Sequence, residues 1–169
     1  MRLDYSMHFV DWHVLIGIAG KILAAYLLAM PTGWVREQEA HGVGIRTFPI
    51  VAMASCGYLM IMQGIGQGPD ALAANSRVLQ GLVAGIGFVG GGAILKEGLS
   101  VHGTATAASI WNTGAIGAAT AQGRYEIAIV LAVLNVFTMW ALVPLKKKLD
   151  STQDTNGADV RIRRPHARK

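Results

Sequence analysis

The chain has 169 residues, of which 52% are hydrophobic and only 15% charged, and its formal net charge is +5. Soluble domains usually carry about 25% charged residues, so this composition argues against a water-soluble domain and for a membrane protein. Nucleic-acid binding is also disfavoured, because eight of the 15 basic residues lie in the last 24 positions and the others stand singly between apolar runs.

Five segments are apolar and close to the length of about 20 residues that a helix needs to cross a lipid bilayer. They comprise residues 12–30, 48–65, 78–95, 101–121 and 127–145. The sequence therefore predicts an all-α membrane protein in which residues 1–145 form five transmembrane helices in a tightly packed bundle. Residues 146–169 are polar and basic, and we predict a disordered cytoplasmic tail there.

The first two segments each contain one residue of chemical interest. Lys21 stands near the middle of the first segment, where a charge is costly. It is either part of an ion or proton site, or a cation that reaches the interface or bonds to backbone. Cys56, in the second segment, is the only cysteine and permits no disulfide within the chain. We interpret it as a small buried hydrophobic residue.

The third segment contains G-x-G-x-x-G, formed by Gly85, Gly87 and Gly90, which is the spacing of a dinucleotide-binding turn. Such a turn needs a preceding strand and an acidic residue about 20 positions further on. Here the motif lies inside an apolar run and the later position is Ile110, so we reject a cofactor role.

Glycine and alanine residues four apart have another use in a bilayer, because they let helix backbones approach closely. Such pairs are Gly81 with Gly85, Gly87 with Gly91, Gly103 with Ala107, and Gly117 with Ala121. We predict that these residues pack helices together. The alternative is a broken helix or backbone-lined path around the three consecutive glycines at 90–92.

The fourth segment is weakly apolar and could either cross the membrane or form a re-entrant loop. If it crosses, one side of the membrane has six basic residues and the other side has three: Arg36, Arg46, Lys96, Lys146, Lys147 and Lys148 against Arg2, Arg77 and Arg124. If it does not cross, the two sides have four and five basic residues. The positive-inside rule favours five crossings, with the N-terminus outside and the C-terminus in the cytoplasm. We expect this segment in the bundle interior, shielded from lipid by the other helices.

Polar residues accumulate in the last two segments. The fourth contributes Thr104, Thr106, Ser109, Asn112 and Thr113, and the fifth contributes Asn135 and Thr138. We predict hydrogen bonds between helices for most of them. A polar lining for a solute path is the alternative.

Carboxylates, in contrast, are missing from all five segments. Magnesium generally binds one or two carboxylates, so Mg²⁺ binding within the membrane is not supported, and no other cofactor is predicted. The weak metal candidates are Glu37 and Glu97, at the cytoplasmic mouth. No H-x-x-x-H spacing and no G-x-S-x-G motif occurs, and we predict that the protein is not an enzyme.

Two stretches together resemble the MgtC/SapB family of membrane proteins: "GVGIRTFPIVAMAS", and "VAGIGFVGGGAILKEG" continuing into "LSVHGTATAASIWNTGAIGAA". The resemblance covers most of residues 21–145. It implies a bacterial inner-membrane protein with five spans and an external N-terminus, without the soluble C-terminal domain that many members add. The family's marked positions fall on Arg36, Glu37, Arg46, Thr47, Gly85, Gly87, Phe88, Gly90, Gly92, Thr106, Ala107, Ala108, Ser109 and Trp111.

The chain departs from the family pattern at two acidic positions. Val35 stands where the family usually has glutamate, and Ala74 and Asn75 occupy a position that often reads Asp-Pro. These changes weaken any metal role inherited from the family. Among the marked residues we assign Phe88, Gly90, Gly92 and Ala108 to helix packing, together with Gly91.

The resemblance implies a function connected with magnesium homeostasis and with virulence. It also implies that family members regulate other membrane proteins, such as a Mg²⁺-transporting P-type ATPase or the ATP synthase. We therefore expect an accessory or regulatory protein that contacts the bilayer, such a partner and further copies of itself, and that binds no nucleic acid. The alternative is a small transporter or channel for Mg²⁺ or another solute, with Lys21, Asn112 and the glycine stretch on its path.

Overall fold

The computed structural model describes residues 11–39, 44–65, 71–97 and 100–141. This part of the chain forms five α-helices: α1 (Trp12–Glu39), α2 (Thr47–Ile65), α3 (Ala71–Gly91), α4 (Thr104–Ala121) and α5 (Tyr125–Ala141). Two short antiparallel strands, β1 (Leu95–Glu97) and β2 (Ser100–His102), join α3 to α4. The predicted all-α architecture of five packed helices is confirmed, while the predicted tail at 146–169 lies outside the described residues.

Helix α4 occupies the centre of the bundle, as predicted for the fourth segment. It contacts α1, α2 and α3 along its length and is hydrogen-bonded to α5. Ten of its 18 residues are buried, and most of these are Gly, Ala, Ser or Thr. Small side chains allow neighbouring backbones to approach α4 from several sides at once, which explains how a weakly apolar helix becomes the core.

The apolar core consists of three clusters arranged around α4. Alanines of α1 and α2 pack with Cys56 and Leu59 near the end of α4. Ile116 packs on two alanines of α5. Phe48, Ile86 and Ile110 join α2, α3 and α4. Cys56 is buried and free, in agreement with its interpretation as a small hydrophobic residue.

Large hydrophobic side chains cover much of the exterior. Trp12, Phe88 and Trp140 are among the most exposed of them, and Phe88 is 85% exposed. Within the described residues, one helix, Trp12–Gln38, is both long and apolar enough to cross a membrane, whereas Thr47–Gln63 and Tyr125–Ala141 are shorter apolar helices. The number of crossings and their direction therefore stay predictions.

The predicted end of the first helix at residue 30 is wrong, because α1 continues through Pro31 to Glu39. Proline inside a helix removes a backbone hydrogen bond and costs about 3 kcal/mol. The added turns carry Thr32, Arg36 and Glu37, which form hydrogen bonds with α5, with α4 and with the turn before α2. These contacts offset the cost of the proline, and hydropathy alone does not reveal them.

The predicted boundary between the third and fourth helices is also wrong. Helix α3 begins at Ala71 rather than residue 78, and it ends at Gly91, within the run of three glycines. Residues 95 and 101, expected inside helices, pair instead in the β1–β2 ladder. Helix α4 begins after Gly103, which has φ of 85° and whose Cβ, if present, would lie 2.0 Å from the carbonyl oxygen of Ala93. Both conditions favour glycine at this position.

Candidate functional site: a polar seam between α1, α4 and α5

Five polar side chains meet where α1, α4 and α5 pack together, and we call them the polar seam: Thr32, Arg36, Thr106, Ser109 and Asn135. The Ser109 hydroxyl donates to Asn135 Oδ1 at 3.0 Å, and Asn135 Nδ2 donates to Thr32 Oγ1 at 3.4 Å. All three of these side chains are buried. Because a buried amide without partners is costly, these bonds specify how α5 sits against α1 and α4.

The seam continues one helical turn towards the start of α4. Arg36 follows Thr32 by four residues, and Thr106 precedes Ser109 by three, so both pairs lie on shared helix faces. The Arg36 guanidinium donates to the Thr106 hydroxyl, which is buried. The bond brings a positive charge to the N-terminal end of α4, where the helix dipole opposes it. The contact therefore provides specific positioning more than it provides electrostatic stability.

Lys21 lies at the opposite end of α4, which shows that α1 and α4 run antiparallel. Its Nζ donates at 2.9 Å to the carbonyl oxygen of Ala121, the last residue of α4. The C-terminal carbonyls of a helix lack partners within the helix and carry partial negative charge. Lys21 thus caps α4 from a neighbouring helix. The sequence allowed two roles for Lys21, an ion or proton site or a cation bonded to backbone. The observed bond is of the second kind.

Two further site candidates stand next to each other on α4 but face different surroundings. Asn112 Nδ2 donates to the backbone carbonyl of Leu131 on α5 at 3.3 Å. Trp111 points outward and is 52% exposed. The hydroxyls of Thr113 and Thr120 donate to carbonyls one turn earlier in α4 itself, so these two threonines bond within their own helix rather than between helices.

The turn before α2 is held by Glu37. Its Oε2 accepts the backbone N–H of Ile45 at 3.1 Å. A Cβ on Gly44 would lie 1.8 Å from that carboxylate oxygen, and a Cβ on Gly33 would lie 3.0 Å from the Cα of Ile45. Gly44 and Gly33 thereby allow this close approach.

The remaining candidates at this end of the bundle are more exposed. Arg46 points to the surface, and Thr47, which begins α2, donates its backbone N–H to the Gly44 carbonyl at 3.0 Å. The weak metal pair is not brought together by any described contact: Glu37 bonds to backbone, and the side chain of Glu97 lies outside the described part of the chain. Within that part, no three His, Cys, Asp or Glu side chains converge as a metal site would need.

The predicted packing glycines divide into two groups. Gly90 packs on α4, where its Cβ would meet the carbonyl oxygen of Ala107 at 3.1 Å, and Gly117 packs on α2, where its Cβ would meet the Ala52 oxygen at 2.2 Å. Four others in α3 face open space, with nothing described within 4 Å of their built Cβ: Gly81, Gly85, Gly87 and Gly91.

The expected packing of these four glycines therefore does not occur between the described helices of one chain. The side chains of Phe88 and Ala108 are exposed as well, and Gly92 lies just beyond the end of α3. The physical reason is that α3 contacts the bundle through a single narrow face, which contains Leu82, Ile86 and Gly90. Packing of these glycines against another copy or another protein stays a prediction.

Sequence analysis missed Thr32 and did not single out Asn135 as a site residue. The sequence does contain a signal for Thr32. Thr32 precedes Arg36 by four residues, and Thr106 precedes Ser109 by three, so each pair shares one helix face. Hydropathy ends the first segment at residue 30, so Thr32 falls outside every predicted helix.

The membrane-length first helix, the apolar exterior and the polar bonds between helices are typical of α-helical membrane proteins. The family follows from comparison of sequences. The MgtC family profile matches residues 22–148, and the chain belongs to this family. The resemblance noted from the motifs is thereby confirmed.

Several relatives are similar over most of the chain. Protein SrpB of Synechococcus elongatus is 33% identical over 139 residues, which cover 76% of this chain and 75% of SrpB. Protein MgtC of Brucella abortus is 31% identical over 147 residues, 87% of this chain and 60% of that protein. Protein MgtC of Salmonella typhimurium is 32% identical over 113 residues, 67% of this chain and 47% of that protein. The chain thus spans about half the length of the MgtC proteins. No solved structure matches it.

Proposed function

We propose that the protein is a multi-pass accessory or regulatory protein of the bacterial inner membrane, that it is connected with magnesium homeostasis, and that it acts through contacts with other membrane proteins rather than as an enzyme. Membership of the MgtC family supports the connection with magnesium, because the related proteins of Brucella and Salmonella bear that family name. The surface of α3 supports the proposed mode of action.

The observation that carries the proposal is an outward-facing glycine pair on α3, Gly81 and Gly85. Gly81 and Gly85 line an apolar groove between α2 and α3 of about 530 Å³, together with Ala54, Tyr58 and Val89. Since neither glycine meets a neighbour within 4 Å, another transmembrane helix could bring its backbone against them. Lipid tails are as apolar as leucine, so close packing of this kind drives helix association in a bilayer.

The interior supports the same view. Lys21, Asn112 and Asn135 each bond to another helix of this chain. Their hydrogen-bonding capacity is directed to fixing the bundle, and the surface that is free for contacts is the apolar one.

Charge supports the proposed orientation. Arg36, Arg46 and Lys96 share the end of the bundle where α1 ends and α4 begins, and Arg77 and Arg124 belong to the opposite end. The positive-inside rule then puts the first end in the cytoplasm, with the N-terminus outside.

Photo-crosslinking in native bacterial membranes tests this function. A photoreactive amino acid replaces Val89, in the α2–α3 groove, or as a control Val133, which is exposed on α5 outside that groove. We expect Val89 to give a specific adduct with a membrane ATPase, with the ATP synthase or with a second copy of the chain, and Val133 to give lipid adducts. Lipid adducts alone at both positions would contradict the proposal.

A further inference from the structure

A second groove, distinct from the α2–α3 groove, runs along α4 between α3 and α5. Its floor consists of Ala115 and Ala118, and its walls include Leu79, Val83, Ile127 and Leu131. It encloses about 260 Å³. It is about half the volume of the α2–α3 groove, which suits a single flexible chain better than a helix.

The length of this groove matches one lipid leaflet. Its lining extends along α4 from Trp111 to Gln122. The eleven steps from Trp111 to Gln122, at about 1.5 Å each, give roughly 16 Å, and half of a hydrocarbon layer of about 30 Å is roughly 15 Å. One acyl chain from the leaflet at the Gln122 end therefore fits along the groove, with its tail near the bilayer midplane.

The groove changes from apolar to polar at its Gln122 end. There it adjoins a pocket of about 400 Å³, with which it shares Leu79 and Gln122. Gln63, Asn75 and Ser76 also line that pocket. An apolar channel that opens into a compartment of amides and a hydroxyl has the polarity of an amphiphile. A transmembrane helix, in contrast, would bury apolar side chains against these polar groups.

Two opposite charges stand at this polar end. The Arg124 guanidinium donates to Glu126 Oε1, and both side chains are more than half exposed. This hydrogen bond is the main cause that lowers the pKa of Glu126, so the carboxylate is ionised at neutral pH. A guanidinium has five donors and can serve a second acceptor such as a phosphate. The pair as a whole complements a headgroup that carries both a phosphate and an ammonium.

We propose that the α3–α4–α5 groove binds one phospholipid with a zwitterionic headgroup that contains a primary amine. One acyl chain lies along α4 between Gln122 and Trp111. The phosphate contacts Arg124, and the ammonium contacts Glu126. The bound lipid seals α3 to α5 on the side of α4 that α2 does not cover.

Native mass spectrometry of the purified full chain in mild detergent tests the proposal. Phosphatidylethanolamine and phosphatidylglycerol are added in equal amounts. For the wild type we expect one bound phosphatidylethanolamine per chain. It should be preferred over phosphatidylglycerol by about threefold, which is the effect expected of one exposed ion pair. Ala115→Leu narrows the groove floor and should reduce binding of both lipids. Ala108→Leu, exposed on the same helix outside the groove, should change nothing.

The charged pair supplies an independent test if Ala115→Leu fails to fold. Glu126→Gln should remove the preference for phosphatidylethanolamine, and Arg124→Gln should weaken the binding of both lipids. Equal binding of the two lipids by the wild type, or an unchanged preference in Glu126→Gln, would overturn the proposed headgroup contacts. If Ala115→Leu binds lipid as the wild type does, the groove is not the lipid site.

Discussion

Replacement of Gly117 by alanine tests the packing around α4 most sharply. A Cβ at this position would lie 2.2 Å from the carbonyl oxygen of Ala52 and 2.9 Å from the Cβ of Ser55. Ordinary contact begins at 3.4 Å, so α2 and α4 must separate locally by about 1.2 Å (3.4 − 2.2). Overpacking of this kind costs about 1–3 kcal/mol, whereas alanine gains up to about 1 kcal/mol in helix propensity. Because the clash is with backbone, which cannot move aside as a flexible side chain can, the upper end of that cost applies, and the expected net loss is about 2 kcal/mol (about 3 less about 1).

Gly85→Ala is the matched control, because it makes the same chemical change in an open position on α3. It should leave the free energy of unfolding unchanged or raise it by up to about 1 kcal/mol. The assay is unfolding of both variants and the wild type in mild detergent titrated with SDS, followed by circular dichroism. Wild-type stability of Gly117→Ala, or equal destabilisation of both variants, would refute the described α2–α4 contact.

Two further variants test the polar contacts. Asn135→Ala leaves the Ser109 hydroxyl without its acceptor and should lower the free energy of unfolding by about 1 kcal/mol, a typical value for such bonds between membrane helices; Thr138→Ala, exposed on the same helix, should have no effect in the same SDS titration. Lys21→Ala removes the donor to the buried Ala121 carbonyl and should cost about 1–3 kcal/mol. Hydrogen exchange of the last turn of α4 should increase in this variant, and unchanged exchange would argue against the cap.

The sequence predicted the five helices because apolar runs of near-membrane length are a strong signal. It also predicted the central position of α4, since a helix of Ala, Gly and Thr is too weakly apolar to face lipid on all sides. Both predictions depend on composition over many residues, which local contacts do not alter.

The helix ends and the partners of the glycines could not be predicted in this way. The continuation of α1 through Pro31 depends on bonds made by Arg36 and Glu37 to distant elements. Gly117 and Gly85 look alike in sequence, yet one touches the backbone of α2 and the other faces open space. A glycine spacing shows where a helix could be approached, but the arrangement of the whole bundle decides from which side.

Magnesium flux through proteoliposomes that contain the purified protein tests the central claim most directly. If the chain acts on other membrane proteins and directs its polar groups to holding its own helices, flux should equal that of empty liposomes. A saturable Mg²⁺ flux that is abolished by Asn112→Ala would contradict the account and would identify the protein as a transporter.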